Sequence, residues 1–313
     1  MKKVFVFPGS GSQRPGMIKL LKSYMSEVRD IFDMASDISH IDVIDLCTTK
    51  PEDVLHEAMN TQMSVTAMNL SFLKLLFNRG IEPDIVLGES LGEFSALAAS
   101  KAMSFEDVMR LVYTRASMIS GIKTPSRMYV SLGLPLNQVK EGIAKIPKAL
   151  GKVEIGVINS DTQIVMGGPV EALNALADIL KDMGVYKVEN AKVDHGFHTS
   201  YMKEMEEKYS AYIDTLKVND PVHSIILNCS AQFGYTAQDI ITDIKRQCCH
   251  TVLWNDSLKL LYSVGELLIA EVGTGKTIAN IIRSTGYKGK IYAVSERKDF
   301  DAYLKCCAVQ EDK

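Results

Sequence analysis

A chain of 313 residues, 46% hydrophobic and 23% charged, is long enough to bury a sizeable core, as one large domain or one domain carrying an insertion. Its 35 basic and 38 acidic residues leave a net charge of -3, which excludes a strong whole-chain pull toward nucleic acid. No apolar stretch has the length needed to span a bilayer, so the sequence predicts a soluble cytoplasmic protein without a membrane partner.

The opening apolar run, 4–7, is too short for a signal segment and is closed by Pro8-Gly9; it predicts a buried first strand. After a Gly-rich loop, apolar spacing predicts helices over 17–34 and 65–77, a short buried strand over 84–87, and helices over 93–101 and 105–121. This alternation is that of an α/β sheet core. Beyond Pro125 the pattern changes to a strand over 128–132, a helix over 136–146, strands over 153–158 and 163–166, a helix over 170–183 and a strand over 185–193. The order β-α-β-β-α-β is that of a ferredoxin-like unit. The expected organisation is therefore a core from 1–125 and 194–313, with a ferredoxin-like subdomain inserted over 126–193. Helices over 201–216, 236–248 and 276–284 and strands over 224–227, 267–271 and 291–294 complete the core before a C-terminal helix.

Chemistry is concentrated at Gly88-Glu89-Ser90-Leu91-Gly92, between a predicted strand and an Ala-rich helix. Such a turn exposes a serine above the sheet, and the N–H groups opening the helix favour negative charge beside it. Glu89 is expected to be a solvated turn residue. A serine hydroxyl needs a base near neutral pH. Of the six histidines, His195 and His198 in Asp194-His195-Gly196-Phe197-His198 stand together after the inserted unit, and spacing leaves both open. The six cysteines form no CxxC and are expected to be free thiols, with no metal site. Two Gly-rich stretches are set aside. Gly273-Thr274-Gly275-Lys276-Thr277 has Ala270 where a phosphate loop requires glycine, and Gly9-Ser10-Gly11 has Arg14 where a dinucleotide loop requires its third glycine.

Phe7-Pro8-Gly9-Ser10-Gly11-Ser12-Gln13, Gly88-Glu89-Ser90-Leu91-Gly92-Glu93-Phe94-Ser95-Ala96 and Gly196-Phe197-His198 occur in the order that resembles malonyl-CoA:acyl carrier protein transacylases of fatty-acid and polyketide synthesis. Asn60-Thr61-Gln62, the Arg115 segment, Arg246-Gln247 and Glu271-Val272-Gly273 extend the resemblance over nearly the whole chain. It implies an α/β-hydrolase-like core with the ferredoxin-like insertion. It also implies Ser90 as nucleophile, His198 as base, and a backbone carbonyl at Gln247 orienting the imidazole. The oxyanion would be met by the N–H groups of Leu91 and Ser10, and Arg115 would clamp the free carboxylate of a malonyl group, with Gln62 and Phe197 shaping the pocket. The partners so implied are malonyl-CoA and an acyl carrier protein bearing phosphopantetheine. No permanently bound cofactor is implied, and the enzyme is expected to act as a monomer. Three positions depart from the family pattern. Ser10 replaces glutamine, Gly196 replaces alanine with an expected slight enlargement of the site, and Ile119 replaces methionine in the pocket. The alternative of the same chemistry is an acyl hydrolase that clears stalled acyl groups from carrier proteins; Arg115 argues against it, because monocarboxylic chains have no use for a carboxylate clamp.

Overall fold

Successive side chains of the first strand, β1 (Lys2–Phe7), face opposite ways, and both sets are apolar. Phe5 and Phe7 enter one buried cluster, Val4 and Val6 another. A strand dry on both faces belongs inside a parallel sheet covered by helices, and that is its place in the computed structural model, which describes residues 1–311.

Two short 3₁₀ turns lead into α1 (Met25–Ser39), followed by α2 (Val43–Thr48), α3 (Glu52–Leu55), α4 (Ala58–Phe77), β2 (Ile85–Gly88), α5 (Gly92–Ala99) and α6 (Phe105–Ile119). A second set follows: β3 (Arg127–Leu132), α7 (Leu136–Ala144), β4 (Glu154–Ser160), β5 (Gln163–Gly168), α8 (Val170–Asp182) and β6 (Lys187–Asn190). The chain continues through α9 (Lys203–Ile213), β7 (Ser224–Ile226), β8 (Phe233–Gly234), α10 (Ala237–Gln247) and α11 (Trp254–Tyr262). It ends in β9 (Leu267–Glu271), α12 (Thr277–Ser284), β10 (Lys290–Ala293) and α13 (Arg297–Glu311). The architecture is mixed α/β.

The helix expected from residue 17 starts only at Met25. Gly16 takes a left-handed conformation (φ 69°), and the two 3₁₀ turns intervene. α4 starts earlier than expected, because its first turns carry Asn60, Thr61 and Gln62, polar side chains that hide the helical period although Thr61 and Gln62 are buried.

The larger sheet has the order β10-β9-β1-β2-β7-β8, parallel except for β8. β1 and β2 run side by side with Phe7 opposite Gly88. The loop after β1 and the turn after β2 therefore emerge together at the carboxyl ends of the strands, where open parallel sheets form their crevices.

The second set forms an antiparallel sheet, order β4-β5-β3-β6. One face is covered by α7 and α8 through Ile164, Met166, Leu173 and Leu176. The alternate residues Met128, Val157 and Val165 join Val4, Val6 and Trp254 of the larger unit. A parallel bridge between Val157 and Val252 ties the two sheets' surroundings together.

The β2–α5 turn lies so close to β1 that a Cβ on Gly92 would overlap Phe7 O, and one on Gly88 would overlap the backbone of Gly92. Neither obstacle is a side chain that can swing aside. Gly92→Ala should lower stability by about 3 kcal/mol, read as a lower urea midpoint; an unchanged midpoint would show that α5 can back away from β1.

Candidate active site

Ser90 sits at the tip of this turn with φ 50°, a left-handed conformation that a residue bearing a Cβ adopts only when its surroundings hold it there. Two side chains supply the hold. Ser90 N–H donates to Asn228 Oδ1 (2.8 Å), and Ser90 O accepts from Gln247 Nε2 (2.8 Å). Asn228 Nδ2 also donates to Gly88 O (2.7 Å), so one amide spans the turn. Behind both lies Glu93, fully buried on α5, which accepts from Asn228 N–H (2.8 Å) and Gln247 Nε2 (2.6 Å). Burial, and then the nearby charge of Asp243, pushes the Glu93 carboxyl well above the carboxylate range. Asp243 in turn accepts from the N–H groups of Cys229 (2.9 Å) and Ser230 (3.0 Å), fixing the loop that carries Asn228. Sequence reasoning had no role for Asn228, Glu93 or Asp243. The one signal available was an acid inside the otherwise apolar, Ala-rich stretch of α5.

Of the two histidines left open by spacing, the structure brings His198 to the serine. Its Nε2 lies 2.6 Å from Ser90 Oγ, and its Nδ1 lies 2.7 Å from Gln247 O. A carbonyl can only accept, so Nδ1 carries the proton and the Nε2 lone pair faces the hydroxyl. The histidine backbone is held as well: its N–H donates to Cys248 O (2.8 Å), with φ 61°. Burial, then the positive charge of Arg115, lowers the His198 pKa to about 3, against the opposing pull of the Gln247 carbonyl. At neutral pH the ring is therefore an uncharged base. His195 lies edge-on to Phe197 and borders a neighbouring recess with Gln13 and His56.

Ser10, Glu89, Ser90, Arg115, Phe197 and His198 line one cavity of about 230 Å³, walled on the other side by Val130, Val157 and Val165 of the smaller sheet. Arg115, on α6, is 2% exposed. It donates to Gln62 Oε1 (2.7 Å) and stacks over the rings of Phe94 (5.5 Å) and Phe197 (5.7 Å). Among the described residues no carboxylate forms an ion pair with it, and its Nε has no partner. A dry, unpaired guanidinium is costly unless something anionic enters beside it. The N–H groups of Leu91 and Ser10 likewise have no partner among the described residues. Leu91 N lies 3.4 Å from where a Cβ on Gly9 would stand, so the two loops meet at these amides.

Three expectations change. Glu89 is not an open surface acid: it is half-buried against Gly9, lines the cavity, and burial pushes its carboxyl up to about 7. Gly196 does not enlarge the site, because a Cβ there would face Thr199 Oγ1 (3.2 Å) and Ser126 (3.3 Å) rather than the cavity. Ile119 packs in the main core cluster, outside the cavity lining. The Gly273–Thr277 loop meets the start of α12, but Glu271 already accepts from the N–H groups of Ile278 (3.0 Å) and Ala279 (2.8 Å), the donors a phosphate would need. None of the six cysteines is joined in a disulfide, and among the described residues no cluster of His, Cys, Asp and Glu is placed to hold a metal ion. No described helix is long and apolar enough to cross a membrane.

Residues 4–295 match the family model described as the acyl transferase domain. The malonyl CoA-acyl carrier protein transacylase of Staphylococcus aureus (strain MRSA252) is 29% identical over 304 residues, covering 95% of this chain and 97% of that protein. The polyketide biosynthesis malonyl CoA-acyl carrier protein transacylase PksC of Bacillus subtilis is 31% identical over 280 residues, covering 89% and 95%. Among solved structures, the acyl-carrier-protein S-malonyltransferase of Burkholderia pseudomallei superposes with a TM-score of 0.92 at 28% identity, covering 97% of this chain and 100% of that one.

Because the His198 ring is held neutral, phosphonylation of Ser90 by a fluorophosphonate should not slow from about pH 7 down to about pH 5. Measured by intact mass, a rate that instead halves near the ordinary histidine pKa of about 6.5 would show that burial does not hold the ring uncharged.

Proposed function

The chain belongs to the acyl transferase family, among the malonyl CoA-acyl carrier protein transacylases, and on that premise we propose which of its residues carry a malonyl group from coenzyme A to the phosphopantetheine thiol of an acyl carrier protein. It is an acyltransferase. The reading of its residues rests on one observation: a buried guanidinium, Arg115, with no ion-pair partner among the described residues, opens into the same cavity as the Ser90–His198 pair.

The steps follow from the geometry. Ser90 Oγ passes its proton to His198 Nε2 and attacks the thioester carbonyl. The carbonyl oxygen, now negative, is met by the N–H groups of Leu91 and Ser10. Collapse breaks the carbon–sulfur bond, and the departing thiolate takes the proton from His198, leaving an ester on Ser90. The carrier's thiol then gives its proton to His198, its sulfur attacks the ester carbonyl, and Ser90 Oγ leaves with the proton returned. Throughout, Arg115 holds the free carboxylate of the acyl group in a two-point fork, steadied by Gln62. Phe197 walls the α-carbon and limits branching there. Gln247 fixes the ring tautomer through its carbonyl.

The architecture supports a matching division. In this reading residues 1–125 and 194–311 form an α/β-hydrolase-like core, the last two residues of the expected range lying outside the described ones, and residues 126–193 a ferredoxin-like subdomain whose open face closes the cavity. This supports donors and acceptors arriving between the two. Hydrolytic release of monocarboxylic chains finds no support in a pocket centred on an unpaired cation.

Arg115→Ala should lower kcat/KM for malonyl transfer about a hundredfold and for acetyl transfer by less than about fivefold. Equal losses, measured with the two coenzyme A thioesters and one carrier protein, would remove the carboxylate clamp. Ser90→Ala should abolish the malonyl adduct in intact mass spectra; a persisting adduct would place the nucleophile elsewhere.

A further inference from the structure

The turn that presents Ser90 also carries a carboxyl group for which the steps above have no use. Three acids lie around the ends of β1, β2 and β9, and the two that are fully buried have evident tasks. Glu93 accepts from Asn228 and Gln247, and Glu271 caps the start of α12. Glu89 has neither. Its only perturbing influence is burial, with no charged or hydrogen-bonding partner among the described residues, and it lines the reaction cavity. Its location can be fixed from Gly9: the point a Cβ there would occupy is 2.6 Å from Glu89 Oε2 and 3.4 Å from Leu91 N. The carboxyl and an oxyanion-binding N–H thus flank one spot.

We propose that Glu89 gates the oxyanion site: acyl transfer proceeds while its carboxyl is protonated and is suppressed when the carboxylate forms beside the Leu91 amide. This rests on the reading of Leu91 and Ser10 as oxyanion donors. A fixed negative charge a few ångströms from a developing oxyanion, in a half-dry cavity, opposes the step those donors promote, by about tenfold or more in rate. It would also repel the carboxylate of the incoming acyl group.

Of the groups that line the cavity, Glu89 is the one that titrates in this window. The β1 loop contributes Gly9 and Ser10, which carry no charge, and α12 contributes Thr277 and Ile281 to the cavity, with Lys276 exposed before it. Across the cavity stand Arg115 and His198. Arg115 stays charged, and His198, lowered to about 3, stays neutral. Glu93 on α5 turns to Asn228 and Gln247. Glu271 is also raised to about 7 by burial, but its carboxylate faces the α12 N–H groups. A carboxyl raised by burial to about 7 is neutral below that pH and charged above it, so the rate falls as pH rises.

The test follows ester formation on Ser90 by rapid quench and intact mass, using malonyl-N-acetylcysteamine, a thioester with no phosphate to titrate. Between about pH 6 and about pH 8.5 the parent rate should fall about tenfold, and Glu89→Gln should reduce that fall to less than about twofold. A purely structural Glu89 would leave the shape of this profile unchanged in the variant. A parent profile without the fall, or a variant with the full fall, overturns the proposal. If Glu89→Gln does not fold, Glu89→Asp must keep the fall with a displaced midpoint, and an unmoved midpoint overturns it. Absence of any ester at every pH would instead strike the transfer reading itself, whereas an ester with a flat profile strikes only the gate.

Discussion

The site depends on one strained residue being held from both sides. Ser90 occupies a left-handed conformation, and its N–H and C=O are each taken by a side chain, Asn228 and Gln247, from outside its own turn. Both residues also donate to one buried acid, Glu93, Asn228 through its backbone N–H and Gln247 through its side-chain amide. Pinning both backbone groups of the strained residue makes the strain a property of the network rather than of the turn. The same Gln247 that grips the serine with its side chain orients His198 with its carbonyl. Nucleophile and base are thereby placed by one residue, which explains how a contact between positions 108 residues apart can close to 2.6 Å.

Around that anchor, burial sets the ionisation state of each group. It holds His198 neutral, the state a base needs, and it disfavours a negative charge on Glu93 behind Ser90, near a forming oxyanion. Arg115 is the exception: it stays charged in a dry place without an acid to offset it. Such a group would destabilise the fold if its cavity were always closed. Here one side of the cavity is built by a separate sheet, whose valines face the larger unit while its helices cover the other side.

Most of this fold could be read from the chain because its elements are long and strongly patterned. β1 and the β3–β6 unit declared themselves by apolar runs and by order. Among the elements that escaped were α2, α3 and β8, of 6, 4 and 2 residues, too short to show a period. At the site, Ser90 stood out because glycine spacing has a steric cause: Gly88 and Gly92 are where strand and helix touch. The choice of His198 over His195 depended on a tertiary contact that local sequence does not contain, and only the resemblance favoured it. Asn228 and Asp243 were invisible for the same reason: they act through backbone groups about 140 and 14 residues away, and a lone Asn or Asp in a loop has many ordinary explanations. Glu89 was misread because turn acids are usually wet, and the close approach of Gly9 that shelters it is set by the β1–β2 register.

A base oriented by a carbonyl rather than a carboxylate suits a reaction that must run through two sulfur partners in turn. Without a nearby anion, the imidazolium formed during attack is poorly stabilised, so it is a strong acid and readily returns its proton to a departing thiolate. Part of that destabilisation comes from Arg115. A carboxylate seated on Arg115 would cancel that part and strengthen the base while the acyl group is in place. An acyl group lacking a carboxylate would leave the cation uncompensated and the base weak. On this reading Arg115 contributes to selectivity twice, through binding and through the basicity of His198, and the second contribution acts on the chemical step rather than on affinity.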